Sequence, residues 1–338
     1  MKEFLLESYD YDLPQELIAT YPLVNKEDAR LLIYHKDTEN IEHTYFKNLF
    51  DFIPKDYLMV FNDTKVIKAR IYGEKKTGAK IEIFFHKAVK EGFLVQMRGR
   101  VRIGDVIYLD QGYQAKVKAM FDGGFRIVEF FKEEQKILDI FLMFEEIGHI
   151  PLPPYIKRKD EKTDILEYQS VFANYYGAVA APTASLHFSE SMKLYALENY
   201  QTAFLTLHVG AGTFIGVETS DIREHKIHKE TLRVSKESMQ KIKNFQKILC
   251  VGTTALRSVE FLDSIEEDDF FGDCDIFLHC GNPPKKAQAL LTNFHLPKSS
   301  LIMLVASMIG LENCHRVYKE AIKEKYRFYS YGDGMLIV

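Results

Sequence analysis

Three histidines stand in loops of small residues that follow short apolar runs. His187 lies in "GAVAAPTASLHFS" (177–189) and His295 lies in "NFHLPKSS" (293–300). His208 is the penultimate residue of "TAFLTLHV", which precedes "GAGTF". Imidazoles titrate near neutral pH and suit proton transfer. Ligands of open α/β sheets bind outside the carboxyl ends of strands, so these loops indicate a ligand site that bears histidines. The alternative for each residue is a structural histidine with satisfied hydrogen bonds.

Two more histidines, His225 and His228, stand in "REHKIHKE" just before Glu230. A metal site is an alternative use of these histidines, but the chain has no HExxH motif and no Cys/His ligand spacing. The four cysteines (Cys250, Cys274, Cys280 and Cys314) form no CxxC pair. The sequence therefore favours a site without metal.

Standard nucleotide and nucleophile motifs are missing. "GAGTFIG" is not GxGxxG because Ile215 occupies the last glycine position, and neither GxxxxGK[ST] nor GxSxG occurs. These absences argue against a P-loop NTPase, a kinase, an ordinary dinucleotide enzyme and an α/β-hydrolase.

Four loops of small residues are predicted to meet at one edge of a sheet: "AAPTASLHF", "GAGTF" (210–214), "GTT" (252–254) and "NFHLPKSS". Small side chains let backbone N–H groups approach a ligand, and helix N-termini favour a carboxylate or phosphate. Ser189 is a predicted N-cap, after which Met192, Tyr195 and Ala196 share one helix face.

Residues 57–131 read as consecutive strands, which predicts a small antiparallel barrel. Glycine-containing turns separate "YLMVFN", "VIKARIY", "AKIEIFFH", "FLVQMR", "QAKVKAMF" and "FRIVEFF". A helix is predicted next, with Ile137, Ile140, Phe141 and Phe144 on one face, followed by an extended linker at "HIPLPPYIKR".

From about residue 165 the chain repeats strand, loop and helix, as in "VGTTALRSVEFLDS", which predicts an α/β domain with a mixed, largely parallel sheet. "TAFLTLHV", "KILCVG", "CDIFLH" and "ALLTNF" are its predicted strands. "YDLPQELIATYP" and "ARLLIYH" are expected to join it. We therefore predict an α/β domain from residues 1–60 and 150–338, with an inserted β-barrel domain at 61–149.

Bulk properties favour a globular protein of two domains, because the chain has 338 residues and 46% hydrophobic content. The N-terminus lacks a signal-peptide pattern, and the longest apolar run, "LIMLVASMIGL", is too short for a membrane span. Cysteines without disulfide spacing are typical of a reducing compartment, so we expect a cytoplasmic protein.

Positive charge is concentrated in the predicted barrel. Residues 62–130 hold 14 Lys and Arg against 8 Asp and Glu, whereas the whole chain has a net charge of −4. Arg98, Arg100 and Arg102 recur with period two, so on a strand they would face one side and could follow the phosphates of a nucleic acid. The alternatives are a chance charge surplus and a solvated strand face.

Long stretches of the chain resemble the S-adenosylmethionine:tRNA ribosyltransferase-isomerase family of queuosine biosynthesis. They include "FNDTKVIKARIYG", "GHIPLPPYIKR", "GAVAAPTASLHFS", "TLHVGAGTF", "HKIHKE", "VGTTALRSVE", "LLTNFHLPKSSLIMLVASM" and "YRFYSYGDGMLIV". Three positions depart from the family pattern: Ser185 replaces a usual Gly, Asn282 a Tyr and Gln288 an Asp.

The resemblance implies a specific reaction. The ribosyl part of S-adenosylmethionine, a co-substrate, is transferred to the aminomethyl group of 7-aminomethyl-7-deazaguanine at the tRNA wobble position and isomerised to give epoxyqueuosine. Adenine and methionine leave. The sulfonium group of S-adenosylmethionine activates the molecule that carries it. The protein must therefore supply a base, a proton for the departing adenine and side chains that position the substrates. The implied partners are tRNA and S-adenosylmethionine, with no metal, no membrane and a monomeric chain.

The resemblance and the loops together suggest roles for individual residues. His208 and His187 are the leading candidates for the base, with His228 and Glu230 behind them. The helix after Ser189 is expected to face the methionine carboxylate. The tRNA would contact Arg98, Arg100 and Arg102. Substrate binding is expected at Ala181, Pro182, Thr183, Ser185, Phe188, Gly210, Gly212, Thr213, Thr253, Thr254, Arg257, Asn293 and His295.

Two other functions remain open at this point. A non-catalytic tRNA-binding protein would not need four converging loops that bear histidines. An S-adenosylmethionine-dependent tRNA methyltransferase would be expected to have a glycine-rich loop and an acidic strand end, which the chain lacks.

Overall fold

The computed structural model describes residues 2–210 and 216–338, which contain eighteen strands and seven α-helices. The strands are β1 (Arg30–Tyr34), β2 (Ile41–Tyr45), β3 (Leu58–Asn62), β4 (Thr64–Val66), β5 (Arg70–Lys75), β6 (Lys80–Val89), β7 (Gly92–Arg98), β8 (Val106–Leu109), β9 (Tyr113–Met120), β10 (Phe125–Lys132), β11 (Gln135–Lys136), β12 (Tyr175–Ala178), β13 (Gln201–Leu207), β14 (Glu230–Val234), β15 (Ile248–Val251), β16 (Phe270–Cys274), β17 (Ala289–Asn293) and β18 (Gly334–Ile337). The helices are α1 (Ile140–Ile147), α2 (Asp164–Glu167), α3 (Glu190–Asn199), α4 (Lys236–Asn244), α5 (Thr253–Leu262), α6 (Ser300–Ile309) and α7 (Leu311–Lys323).

The larger sheet of the described chain has nine strands in the order β16-β14-β13-β3-β15-β17-β18-β1-β2. Its four central strands, β13, β3, β15 and β17, are mutually parallel, and antiparallel pairs lie on both sides of them. Strands β3, β15 and β17 are buried along their whole length. A parallel sheet covered on both faces requires such continuous apolar strands, so the predicted mixed, largely parallel sheet is confirmed.

The smaller sheet closes into a barrel. Strands β10, β7, β6, β5, β8 and β9 pair in that order, and β9 pairs back to β10, so six antiparallel strands form a ring within the described residues. Buried and exposed residues alternate along β9, as expected when one face fills the barrel interior. The predicted antiparallel barrel is confirmed.

Three strand predictions differ from the structure. "YLMVFN" contains β3, which lies at the centre of the larger sheet and not in the barrel, because both of its faces are buried. Strand β8 has only four residues and was not predicted. "CDIFLH" contains only the last residue of β16, whose remaining residues lie upstream of it.

The helix predicted after the barrel starts at Ile140, later than the predicted first residue Ile137, and the face that it buries differs from the predicted one. The Asp139 side chain accepts a hydrogen bond from the Phe141 N–H and sets the start of α1 at Ile140. Its buried face consists of Ile140, Met143, Phe144 and Ile147, which pack into the barrel core. Phe141 is 43% exposed and Ile137 precedes the helix.

Two short strands lie between the sheets, β4 paired in parallel with β12. "YDLPQELIATYP" packs on the core of the larger sheet through Leu13, Leu17 and Ile18, as predicted. The division into domains 1–60 with 150–338 and 61–149 stays a prediction, although strands β5 to β11 all fall inside the second range. Among the described helices, none combines the length and apolarity required to cross a bilayer.

Candidate active site

A cavity of about 1150 Å³, counting the part open to solvent, lies at the carboxyl ends of β15 and β17. Residues 180–184, 252–254 and 292–296 form three of its walls, and Val209 belongs to a fourth. Three of the four loops that the sequence predicts to meet therefore lie together at one edge of the sheet, and residues 211–214 of the fourth loop lie outside the described residues. The cavity has the position of a small-molecule site in an α/β fold.

Two helix N-termini open onto this cavity. Helix α5 begins at Thr253 after Gly252, whose φ of 97° lies in the left-handed region that favours glycine. Helix α6 begins at Ser300, and the Ser299 hydroxyl accepts a hydrogen bond from the Ile302 N–H. Thr253, Ser299 and Ser300 all line the cavity. The unpaired N–H groups of both helices can therefore attract an anionic group of a ligand.

The N-terminus of α3, the helix after Ser189, is not available to an anionic group of a ligand. Ser189 caps α3 by accepting a hydrogen bond from the Met192 N–H, as predicted. Its hydroxyl, however, donates to Glu27, and the Ser191 hydroxyl donates to the same carboxylate at 3.2 Å. The anion at this helix N-terminus is therefore a side chain of the protein, which corrects the expectation that α3 faces the methionine carboxylate.

A buried ion pair forms one side of the cavity. Arg257 Nη1 donates to Glu230 at 2.5 Å, and the two side chains are 9% and 4% exposed. Arg257 Nε donates to the Ile276 carbonyl at 3.2 Å, and Glu230 also accepts the Gly210 N–H at 3.0 Å. Arg257 Nη2 is buried and has no hydrogen-bond partner among residues 2–210 and 216–338. A buried donor without a partner is costly, so Nη2 is available to pair with a group of a ligand.

Three histidines line the cavity: His225, His228 and His295. The His295 ring is buried and its Nε2 lies 2.8 Å from Thr292 Oγ1. Burial lowers the pKa of His295 to about 3, so this ring stays neutral and is a weak base. Burial, followed by the charge of His228, lowers the pKa of His225. His228 is exposed to the cavity and lies two residues before Glu230.

His187 is buried behind Asn293, outside the cavity lining. The Thr183 hydroxyl donates to Asn293 Oδ1 at 2.8 Å, so Asn293 Nδ2, 3.2 Å from His187 Nε2, donates to that ring nitrogen. Burial, followed by the charges of Arg327 and Lys26, lowers the pKa of His187 to about 3. A neutral ring that accepts this hydrogen bond orients Asn293 and Thr183, both of which line the cavity.

His208 lies beside the cavity, packed against β12. Its Nδ1 hydrogen-bonds Thr64 Oγ1 at 2.8 Å, and burial lowers its pKa. The ring occupies the space over Gly177, where an added Cβ would lie 2.6 Å from a ring carbon and φ is 152°. Only glycine fits this position, so Gly177 and His208 pack as a pair.

The structure brings ten of the predicted site residues to the cavity: Ala181, Pro182, Thr183, His228, Glu230, Thr253, Thr254, Arg257, Asn293 and His295. Gly210 borders it through its hydrogen bond to Glu230. Gly212 and Thr213 lie outside the described residues.

Two predicted binding residues point away from the cavity. Thr183–His187 forms a 3₁₀ turn that buries Ser185, whose hydroxyl donates to the Pro182 carbonyl at 2.7 Å. Phe188 is fully buried and packs edge-on against Phe61. Both side chains therefore stabilise the loop from behind, and the serine at the usual glycine position adds a hydrogen bond inside the turn.

The divergent loop 280–290 has structural hydrogen bonds. Asn282 Nδ2 donates to the Phe277 carbonyl at 2.9 Å, and Gln288 Oε1 accepts the Ile248 N–H at 2.8 Å. Glu260 accepts backbone N–H groups of residues 285–287. These bonds hold the loop against α5 and β15.

Several cavity residues were missed from the sequence. They are Tyr155, Tyr168, Ile227, Tyr329 and Ser330. Tyr155 follows three prolines in a segment interpreted as a linker, and its hydroxyl bonds Ser330 Oγ at 2.5 Å. His225 and the predicted loop 293–300, which contains Ser299 and Ser300, were identified from the sequence, but these three residues were not assigned a binding role.

His86 of the barrel is a further residue that the sequence did not single out. Its ring packs edge-on against Phe125, and its Nε2 is buried without a partner in the described part of the chain. Burial, followed by the charge of His228, lowers the pKa of His86 to about 4.

The three predicted tRNA-binding arginines do not share one strand. Strand β7 ends at Arg98, and Gly99, with a φ of 122°, turns the chain before Arg100 and Arg102. All three side chains are exposed, and Arg98 lies 3.6 Å from Glu82. The period-two interpretation is wrong, because Arg100 and Arg102 lie beyond the end of the strand.

Within the described residues, no group of three or more His, Cys, Asp or Glu side chains is arranged to hold a metal ion. All four cysteines are free, and three of them are buried.

Comparisons with known proteins agree over the whole chain. Residues 6–337 match the model of a family described as queuosine biosynthesis protein. S-adenosylmethionine:tRNA ribosyltransferase-isomerase of Helicobacter pylori strain Shi470 is 54% identical, with 100% of each chain covered. The protein of that name from Campylobacter jejuni is 53% identical, over 100% of this chain and 99% of its own. A crystal structure of S-adenosylmethionine tRNA ribosyltransferase from Thermotoga maritima superposes with a TM-score of 0.56 at 30% identity, over 98% of this chain and 100% of that one.

Proposed function

The chain belongs to the queuosine biosynthesis protein family, and we propose that it is an S-adenosylmethionine:tRNA ribosyltransferase-isomerase that works in the cavity described above. It transfers and isomerises the ribosyl part of S-adenosylmethionine onto 7-aminomethyl-7-deazaguanine in tRNA, releasing adenine and methionine. The observation that carries this proposal is full-length similarity to enzymes of that name. A tRNA substrate is consistent with a cytoplasmic location. We also propose that the enzyme is a monomer and that it uses no metal.

Arg257 and the two helix N-termini suit the methionine end of the co-substrate. Arg257 Nη2 is the buried donor that lacks a partner, and Thr253 at the start of α5 is one helical turn before it. Guanidinium and helix N–H groups both bind carboxylates. The ion pair with Glu230 holds the guanidinium in place, which makes Glu230 a positioning residue in this proposal.

His228 is the base that the geometry favours. The reaction requires removal of a proton from the carbon next to the sulfonium, and departing adenine requires a proton. His187 and His295 have pKa values of about 3 and are weak bases, and His208 lies outside the cavity lining. His228 lines the cavity and is exposed to it. Asn293 and Thr183, oriented by His187, are available to hydrogen-bond the ligand.

We retain Arg98, Arg100 and Arg102 as proposed contacts to tRNA phosphates. Their side chains are exposed, and surface cations in a group suit a sequence-independent phosphate backbone. The surplus of positive charge in residues 62–130 supports this proposal.

Product analysis tests the proposed function. With labelled S-adenosylmethionine and tRNA that carries the aminomethyl-deazaguanine base, we expect adenine and methionine to appear in equal amounts. A reaction without tRNA is the control and should release neither. S-adenosylhomocysteine as the product would indicate a methyltransferase, and binding of tRNA without turnover would indicate a non-catalytic binding protein.

A further inference from the structure

A buried asparagine at the end of the central strand β3 contacts the cavity wall from behind. Asn62 is 1% exposed and is not among the residues that line the cavity. Its Oδ1 accepts the N–H groups of Thr64 and Leu207, both at 3.1 Å. Its Nδ2 donates to the Leu207 carbonyl at 3.0 Å and to Thr254 Oγ1 at 3.2 Å. The side-chain amide of Asn62 is therefore fully hydrogen-bonded.

These contacts fix the orientation of the Asn62 amide. Backbone N–H groups can only donate, so the atom that receives two of them must be the carbonyl oxygen. The atom that contacts Thr254 Oγ1 is then the amide nitrogen, which can only donate. The Thr254 hydroxyl is therefore the acceptor of this bond, and its own proton must point elsewhere.

The free direction of the Thr254 hydroxyl is towards the cavity. Thr254 lines the cavity and is only partly buried. Within residues 2–210 and 216–338, the contact with Asn62 is the one hydrogen bond that this hydroxyl makes. A hydroxyl donates one hydrogen bond in addition to those that it accepts, so Thr254 can present a donor to a ligand.

Other donors stand beside Thr254 at this end of the cavity. Thr254 and Arg257 are three residues apart on α5, a spacing that makes their side chains neighbours on the helix surface. Both line the cavity, and Arg257 Nη2 is the buried donor described above. The first hydrogen bond of α5 runs from the Leu256 N–H to the Gly252 carbonyl, which leaves the N–H groups of residues 253–255 free of it. Donors concentrated in this way suit a carboxylate.

We propose that Asn62 is a positioning residue that holds the Thr254 hydroxyl as a donor to the carboxylate of S-adenosylmethionine. This inference rests on the proposed function and extends it to a residue outside the cavity. If an acceptor replaced Asn62 Nδ2, the Thr254 proton would turn towards that acceptor. An oxygen lone pair of Thr254 would then face the carboxylate of the ligand and repel it.

Thr254→Val tests the donor because it keeps the shape of the side chain and removes the hydroxyl. We expect the Kd for S-adenosylmethionine to rise by about 10- to 100-fold, the effect of losing one hydrogen bond to a charged group. Thr254→Ser keeps the hydroxyl and should bind nearly as wild type. Calorimetric titration in the presence of unmodified tRNA measures both. Decarboxylated S-adenosylmethionine lacks the carboxylate, so it should bind Thr254→Val and the wild type equally.

Asn62→Asp tests the positioning role. Its carboxylate can still accept the N–H groups of Thr64 and Leu207, but it accepts the Thr254 proton where the asparagine donated. We expect a loss of affinity similar to that of Thr254→Val. Because both substitutions remove the same donor, the double variant should bind no more weakly than Asn62→Asp alone. A role of Asn62 that does not pass through Thr254 predicts instead that the two losses multiply.

Thr206→Val is the matched control for a loss of stability. The Thr206 hydroxyl donates to Asp63 Oδ1 at 2.6 Å, next to Asn62 in the chain, and neither side chain lines the cavity. This variant leaves a buried carboxyl without its hydrogen bond. We expect a lower melting temperature and an unchanged Kd for S-adenosylmethionine.

Four outcomes would overturn the inference while the wild-type protein still releases adenine and methionine. They are wild-type affinity in Thr254→Val, losses that multiply in the double variant, an equal loss of affinity in Thr206→Val, and weaker binding of the decarboxylated ligand to Thr254→Val. If Asn62→Asp does not fold, Thr254→Val still decides, because a hydroxyl without effect leaves Asn62 nothing to position. A wild-type protein that releases no adenine would contradict the proposed function itself.

Discussion

We expect His228→Ala to lower kcat by about 10²- to 10⁴-fold while the affinity for S-adenosylmethionine changes far less. This range is typical of the loss of a general acid or base, and His228 is the cavity histidine exposed to the space where the ligand binds. Single-turnover rates with saturating tRNA measure the chemical step, and calorimetry measures binding of the co-substrate.

The matched control is His208→Ala, which removes an imidazole beside the cavity that hydrogen-bonds Thr64. We expect a smaller loss of rate in this variant. If His208→Ala loses the rate and His228→Ala retains it, His208 is the base, and the cavity histidine serves binding or structure. Loss of binding together with rate in His228→Ala would assign that residue to ligand recognition.

The second large effect is expected at Arg257. Arg257→Met leaves Glu230 buried without its cation, and removal of one partner of a buried ion pair costs about 3–5 kcal/mol of unfolding free energy. It also removes the donor proposed for the methionine carboxylate. Chemical denaturation and calorimetric titration of S-adenosylmethionine would measure the two effects separately.

The double variant Glu230→Gln with Arg257→Met separates stability from binding. Both charges are then absent, so we expect most of the lost stability to return. Affinity for S-adenosylmethionine should stay low because Nη2 is still missing. Recovery of both properties in the double variant would mean that Arg257 only neutralises Glu230 and does not bind the ligand.

The sequence predicts the fold and the meeting of the loops because both depend on local patterns. The strand, loop and helix repeats place 252–254 and 292–296 after parallel strands, and parallel strands deliver their carboxyl ends to one edge. Arg257 follows Thr253 by four residues, so the helix itself brings it towards the cavity.

The predictions that fail are those that depend on contacts between residues distant in sequence or on the exact backbone conformation of a turn. Ser189 is a correct N-cap, but only the fold shows that Glu27 occupies the N-terminus of α3. The tight turn at Thr183–His187 aims Ser185 and His187 away from the cavity, and a turn of this kind cannot be read from residue types. Gly99 ends β7, which separates Arg98 from the other two arginines.

A structure of the protein with S-adenosylmethionine bound tests most directly the claim that the reaction takes place in this cavity. We predict the co-substrate between residues 180–184 and α5, with its carboxylate within hydrogen-bond distance of Arg257 Nη2 and its sulfonium facing His228. The ligand bound against the barrel, or bound in the cavity with its carboxylate away from Arg257 and its sulfonium away from His228, would contradict the account.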